Sequence, residues 1–102
     1  MDLGKAIYRL RKEKNIKQGK FATDIGISQS FASQIENGRK IPELKTLEKI
    51  SDYFNMPLPF LTWMSIEVSD ISDEKQHAYQ MLKSSVDALI QDVRELRDKQ
   101  LK

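Results

Sequence analysis

Residues Gln18–Glu36, QGKFATDIGISQSFASQIE, decide the fold. Phe21, Ala22 and Ile25 fall on one face of a short helix at helical spacing. Gly26 stands where such a helix ends on a left-handed residue, a conformation that glycine adopts without a Cβ clash. Ile27 is a lone apolar residue inside the turn and plugs the space between two helices. Ser28 is placed to cap the second helix by accepting a backbone N–H. That helix turns Ala32 and Ile35 inward, and Gln29, Ser30, Ser33 and Gln34 outward. An outer face of amides and hydroxyls, with almost no charge, suits hydrogen bonding to base edges in a major groove better than simple solubility.

Composition narrows the class. A chain of 102 residues holds one small domain with at most an appended element. It has no cysteine, so disulfides and thiolate zinc sites are excluded, and one histidine, His77, gives no basis for a histidine metal site. No metal or cofactor is expected. No secretory signal is legible at Met1, no run is apolar enough to span a bilayer, and a soluble cytoplasmic protein is the expectation. Residues 1–64 carry 11 Lys/Arg against 7 Asp/Glu, and residues 65–102 carry 6 against 8. The positive part thus coincides with the paired helices, as a phosphate-binding surface requires, although a solvated mixed-charge surface gives the same count.

Around the paired helices the chain reads as helical throughout. Asp2 caps a first helix with Leu3, Ile7 and Leu10 buried. Pro42 precedes a fourth helix with the stripe Leu44, Leu47, Ile50 and Phe54, closed by Asn55. Pro57 and Pro59 start a fifth, with Leu58 and Leu61 inward. Phe60, Trp63 and Met64 make its remainder too apolar for a free surface.

The pattern from Leu3 to about Leu61 resembles the phage-repressor and Cro-like family, also called the xenobiotic-response-element (XRE) family. LRKEKNIKQ, Phe21-Ala22, GIS, SQIENG and then Pro42, Leu47, Ile50 and Phe54 carry the likeness. It implies an all-α, five-helix lambda-repressor-like domain that binds double-stranded DNA and regulates transcription. It also implies an ion pair between Arg11 and Glu36 and backbone contacts from the loop at Asn37 and Arg39. Bases are then expected to be read by Gln29, Ser30, Ser33 and Gln34, and phosphates to be held by Lys17, Gln18, Lys20, Asn37 and Arg39.

Two departures stand out. Lys17 precedes the second helix where a capping Ser, Thr, Asp or Asn is expected, and Gly19 and Lys20 weaken the first turn further. Sequence drift accounts for this, and so does a DNA phosphate on the open N–H groups. Phe31 lies on the flank of the third helix, where partial burial is favoured over contact with a base.

Residues 65–72 read as a polar connector between a domain at 1–64 and a last helix at 73–102, capped by Ser72. In that helix Tyr79, Val86 and Val93 alternate with Leu82, Leu89 and Leu96 at coiled-coil a and d spacing, and Val at a with Leu at d favours a parallel homodimer. The rival reading packs this helix on its own domain through Phe60 and Trp63, and Ile90 outside the seam favours it. No catalytic constellation is present, so an enzyme is not expected. Two other functions fit the pattern: an antitoxin whose last helix binds a toxin, and a protein-interaction module that no longer reads DNA.

Overall fold

A computed structural model describes residues 1–100; residues 101 and 102, which the sequence reading assigned to the last helix, lie outside the described residues. The elements are α1 (Leu3–Glu13), α2 (Gln18–Ile25), α3 (Gln29–Glu36), α4 (Leu44–Tyr53), α5 (Leu58–Met64) and α6 (Gln76–Gln100), with no strand among the described residues. The fold is all-α, as expected. α1 packs on α3 and α5, α2 on α3 and α4, and α4 on α5.

Local chemistry sets the helix ends. Asp2 Oδ1 accepts from the Lys5 N–H at 2.9 Å and starts α1. Gly26 takes φ +79 at the end of α2, and the Ile27 N–H then reaches back to the Ala22 carbonyl at 2.9 Å. Ser28 Oγ accepts from the Phe31 N–H at 3.0 Å and starts α3 only three residues beyond Ile25. Asn55, at φ 55, closes α4 through its N–H on the Asp52 carbonyl.

The core centres on Ile7, Leu10, Phe21, Ile35, Ile50, Met56 and Leu61, all fully buried. Phe21 stacks on Phe54 at 5.6 Å between centroids and meets Tyr53 edge-on at 5.5 Å, so its bulk is absorbed by α4. Leu44 departs from the expected stripe and is 62% exposed. Steps of three residues each slip about 60° around a helix, so Leu44 sits roughly 120° from Ile50. Buried Ser51 and half-buried Tyr53 border the face instead.

Residues 65–72 are more ordered than a polar connector implies. The Ser65 carbonyl accepts from the Asp2 N–H at 2.8 Å, and the Met1 amino group pairs with Asp70. A 3-10 turn spans Val68–Asp70, held by reciprocal bonds between Glu67 and Asp70. The Ser72 side chain makes no cap bond. A second 3-10 turn, Asp73–Lys75, intervenes, and α6 begins at Gln76.

α6 has two apolar stripes, and its own domain takes one of them. Tyr79 and Ile90 are buried. Tyr79 packs on Trp63 with centroids 5.7 Å apart, and Trp63 Nε1 donates to Asp87 Oδ1 at 2.9 Å. Lys14 reaches Asp98 at 3.2 Å and Arg94 reaches Glu13 at 3.0 Å. Leu82, Leu89 and Leu96 stay exposed, and Val86 and Val93 are half-buried. Tyr79 is thus taken up by its own domain, while the leucines of the heptad pattern are free.

This docking is sensitive to acid. Burial opposes the charge on Asp87, but hydrogen bonds from Lys83 and Trp63 outweigh it and hold the carboxyl below the ordinary carboxylate range. Lys14 does the same for Asp98, chiefly by hydrogen bonding. Carboxylates depressed in the folded state stabilise it fully above their unfolded value, about 4, and that contribution is lost as pH falls through the lower folded values. Trp63, the single tryptophan, reports the contact. Its emission is expected to shift to the red as pH drops below about 4, and Asp87→Ala, which removes the acceptor, to show the shifted emission already at neutral pH. Emission that stays constant through acidification, or is unchanged in Asp87→Ala, contradicts this account of the docking.

Candidate nucleic-acid interface

The paired helices are locked from behind by one polar cluster. Arg11, 7% exposed at the end of α1, reaches across to the end of α3. Its Nε donates to Glu36 Oε2 at 2.8 Å, its Nη2 to Glu36 Oε1 at 2.9 Å and its Nη1 to the Ile16 carbonyl at 2.8 Å. The two parallel bonds form a bidentate fork, which fixes orientation as well as distance. Hydrogen bonding to the Glu36 carboxylate is the main reason that the Arg11 pKa is raised. Gln18 Nε2 also donates to Glu36 Oε1, at 3.2 Å. One carboxylate therefore joins the end of α1, the start of α2 and the end of α3. No buried side-chain polar atom lacks a partner among the described residues.

Backbone packing sets the same spacing. Gly4 lies against the end of α3 so closely that a methyl there would fall 2.2 Å from the Ile35 carbonyl oxygen and 2.8 Å from that of Glu36. Sequence reading passed over this glycine, although an isolated glycine inside a helical pattern is a signal of close approach.

With its inner face fixed, α3 presents Gln29 and Ser30 exposed and Ser33 and Gln34 half-buried. Phe31 is partly buried against the core, as favoured from sequence. The following loop folds back on the helix. The Gln34 carbonyl accepts from the Arg39 N–H at 2.9 Å and from the Lys40 N–H at 3.1 Å, and Asn37 Oδ1 accepts from the Arg39 N–H at 3.1 Å. Asn37 and Arg39 are thus exposed beside the outer face of α3.

The start of α2 opens toward the same side. Lys17 has φ −71 and ψ 147 and makes no side-chain cap bond. Among the described residues, the N–H groups of Gln18, Gly19 and Lys20 have no acceptor, and the first intrahelical bond runs from Phe21 to the Lys17 carbonyl at 3.0 Å. The Gln29 side chain lies directly over Gly19: a methyl on Gly19 would sit 3.3 Å from Gln29 Oε1. The structure thus brings Lys17, Gln18, Gly19 and Gln29 together across the turn.

Lys20 is not free. Its Nζ lies 2.9 Å from Asp24 Oδ2, which also accepts from the Tyr53 hydroxyl at 2.7 Å. These two hydrogen bonds, that from Lys20 first, hold Asp24 below the ordinary carboxylate range. Burial, and then the bond to Asp24, push the Tyr53 phenol up to about 12. The spacing of Lys20 and Asp24 (i, i+4) was legible in the sequence, whereas the partner from α4 was not. No group of three or more metal-ligating side chains is gathered anywhere among the described residues.

Two short helices at a tight turn, backed by a third and presenting one polar outer face, define a helix-turn-helix. Residues 7–61 match the Helix-turn-helix family, and the chain belongs to that family in its phage-repressor and Cro-like branch. It is a DNA-binding transcriptional regulator and not an enzyme. It is 42% identical over 66 residues to the ImmF control region 10 kDa protein of Bacillus phage phi105, covering 65% of this chain and 73% of that protein. The cryptic phage CTXphi transcriptional repressor RstR of Vibrio cholerae is 28% identical over 80 residues, 78% of this chain and 64% of that one. The control protein C.MunI of Mycoplasma sp is 43% identical over 49 residues, 47% of this chain and 66% of that one. No solved structure matches the chain. No helix among the described residues is long and apolar enough to cross a membrane.

Proposed function

We propose that the protein is a repressor that binds a two-fold symmetric operator as a homodimer. In this reading Gln29, Ser30, Ser33 and Gln34 address base edges. Lys17, Lys20, Asn37 and Arg39 hold phosphates, together with the open N–H groups of Gln18 and its neighbours. The observation that carries the reading is the shared outward face: unbonded N–H groups at the start of α2, with Lys17, beside the exposed amide of Gln29. Helix N-termini favour anions, and amides at the front of an adjacent helix can pair with adenine. Two of its relatives, a phage control-region protein and a phage repressor, agree with it.

Dimerisation is assigned to the stripe of α6 that its own domain leaves open. Leu82, Leu89 and Leu96 are 54%, 57% and 60% exposed at heptad spacing, flanked by Val86 and Val93. Tyr79 supports the seam from inside by fixing α6 on Trp63. Trp63 also lines a shallow apolar groove with Leu58, Pro59, Thr62 and Ile66, a second open apolar surface on α5. Exposed apolar surface of this kind marks contact sites.

Selection of bound duplexes from a random pool tests the reading. Enrichment of inverted half-sites one helical turn apart, about 34 Å, is expected. No enrichment contradicts specific binding, and enrichment of a single unrepeated site contradicts the homodimer.

The pairing of Lys20 gives a separate expectation. Asp24→Asn removes both a competing partner for Lys20 and a negative charge beside the phosphate path. Binding to the selected operator should tighten, and the log–log salt slope should steepen by about one unit. Anisotropy titrations across a salt series read both quantities. An unchanged slope places Lys20 outside the phosphate contacts.

A further inference from the structure

We propose that Gly19 is a specificity-determining position: it seats the Gln29 side chain so that its amide meets the base in one orientation. The inference rests on the reading that Gln29 addresses a base, and it goes beyond it by naming what orients that amide.

Glycine is an unfavourable choice in the first turn of a helix. Backbone geometry does not require it here, because Gly19, unlike Gly26 and Gly38, does not adopt positive φ. What distinguishes the position is the missing side chain. The end of Gln29 borders the space that a methyl would fill, with Oε1 3.3 Å and Cδ 3.7 Å from where it would stand. No hydrogen bond involves the Gln29 side chain among the described residues, although the residue is exposed and its side chain has three rotatable bonds. The seat on α2 therefore restrains the amide by contact alone and leaves its donors and its acceptor available. A hydrogen-bonded anchor would occupy some of them. Bidentate pairing tolerates misplacement of only about 0.5 Å and 10–20°. A methyl at 3.3 Å is closer than ordinary van der Waals contact and pushes Oε1 away by a few tenths of an ångström, a sizeable part of that tolerance.

The test is a double-mutant cycle on Gly19→Ala and Gln29→Ala. Affinities are measured by competition on operators carrying each of the four base pairs at every half-site position, with thermal melts as the folding control. Gly19→Ala is expected to melt no lower than the parent, because alanine is the better helix former. It should flatten base preference at one position per half-site, by roughly tenfold, within the range of a lost bidentate contact. Gln29→Ala should flatten the same position, and the double variant should behave like Gln29→Ala alone. If Gly19→Ala keeps the parental preference while Gln29→Ala loses it, the seat is overturned and base reading by Gln29 stands. Additive effects, or effects at different positions, also overturn the seat. If neither variant changes preference, both the seat and the role of Gln29 in base reading fall.

Discussion

Glu36→Ala is expected to lower folding stability by about 3–5 kcal/mol, the usual effect of removing one partner from a buried ion pair. The side chains of Arg11 and Glu36 are only 9% and 5% exposed, so water replaces the lost contacts poorly. The variant leaves Nε and Nη2 of Arg11 unsatisfied and frees the Gln18 amide at the same moment. Small domains are stable by only about 5–15 kcal/mol, so the variant should sit near the unfolding threshold at room temperature. Replacing both partners, with Arg11→Met and Glu36→Leu, should cost much less than Glu36→Ala, because no charge is then stranded. Urea denaturation reads all three proteins. A loss below about 1 kcal/mol for Glu36→Ala is the range of an exposed pair and contradicts the burial argument.

Gly4→Ala should act on the same contact from the backbone side. A methyl 2.2 Å from the Ile35 carbonyl oxygen cannot be relieved by a side-chain rotation, since both partners are helix backbone. α1 and α3 must separate, and overpacking of this kind costs about 1–3 kcal/mol. Alanine's better helix propensity offsets at most about 1 kcal/mol of that. The surviving folded protein should also bind DNA more weakly, because the outer face of α3 moves with its inner face. Gly19→Ala is the contrasting variant: it meets a flexible side-chain end instead of backbone, and stability should be preserved. A Gly4→Ala protein with parental melting temperature and parental operator affinity contradicts the close approach.

What was legible in the sequence followed the range of the interactions. The turn between α2 and α3 could be read residue by residue, because Gly26, Ser28 and the spacing of Phe21, Ala22, Ala32 and Ile35 act within a few positions. The Arg11–Glu36 pair spans 25 residues and came from the family resemblance, not from spacing. Leu44 was misplaced because apolar identity at the first turn of a helix does not say which side of the stripe it joins. The last helix was harder. Its apolar residues belong to two adjacent stripes, and heptad spacing cannot tell which stripe the domain claims. Tyr79 and Ile90 go inward because Trp63 and the charges at Glu13 and Lys14 happen to meet that side. The uncapped start of α2 was correctly located, but the partners that restrain it, Asp24 with Tyr53 and Gln29 over Gly19, depend on tertiary approach.

The measurement that bears most directly on the central claim is the mass of the complex on a selected operator, by sedimentation equilibrium, for the parent and for Leu89→Asp with Leu96→Asp. Both leucines are exposed, so the charges should leave the protomer folded, while a charge buried in an apolar seam is strongly unfavourable. The parent should place two chains on one duplex, and the double variant should be monomeric and bind a half-site weakly, with its Trp63 emission unchanged. One parental chain per duplex, or a double variant that still binds as a dimer, would contradict the α6-paired dimer.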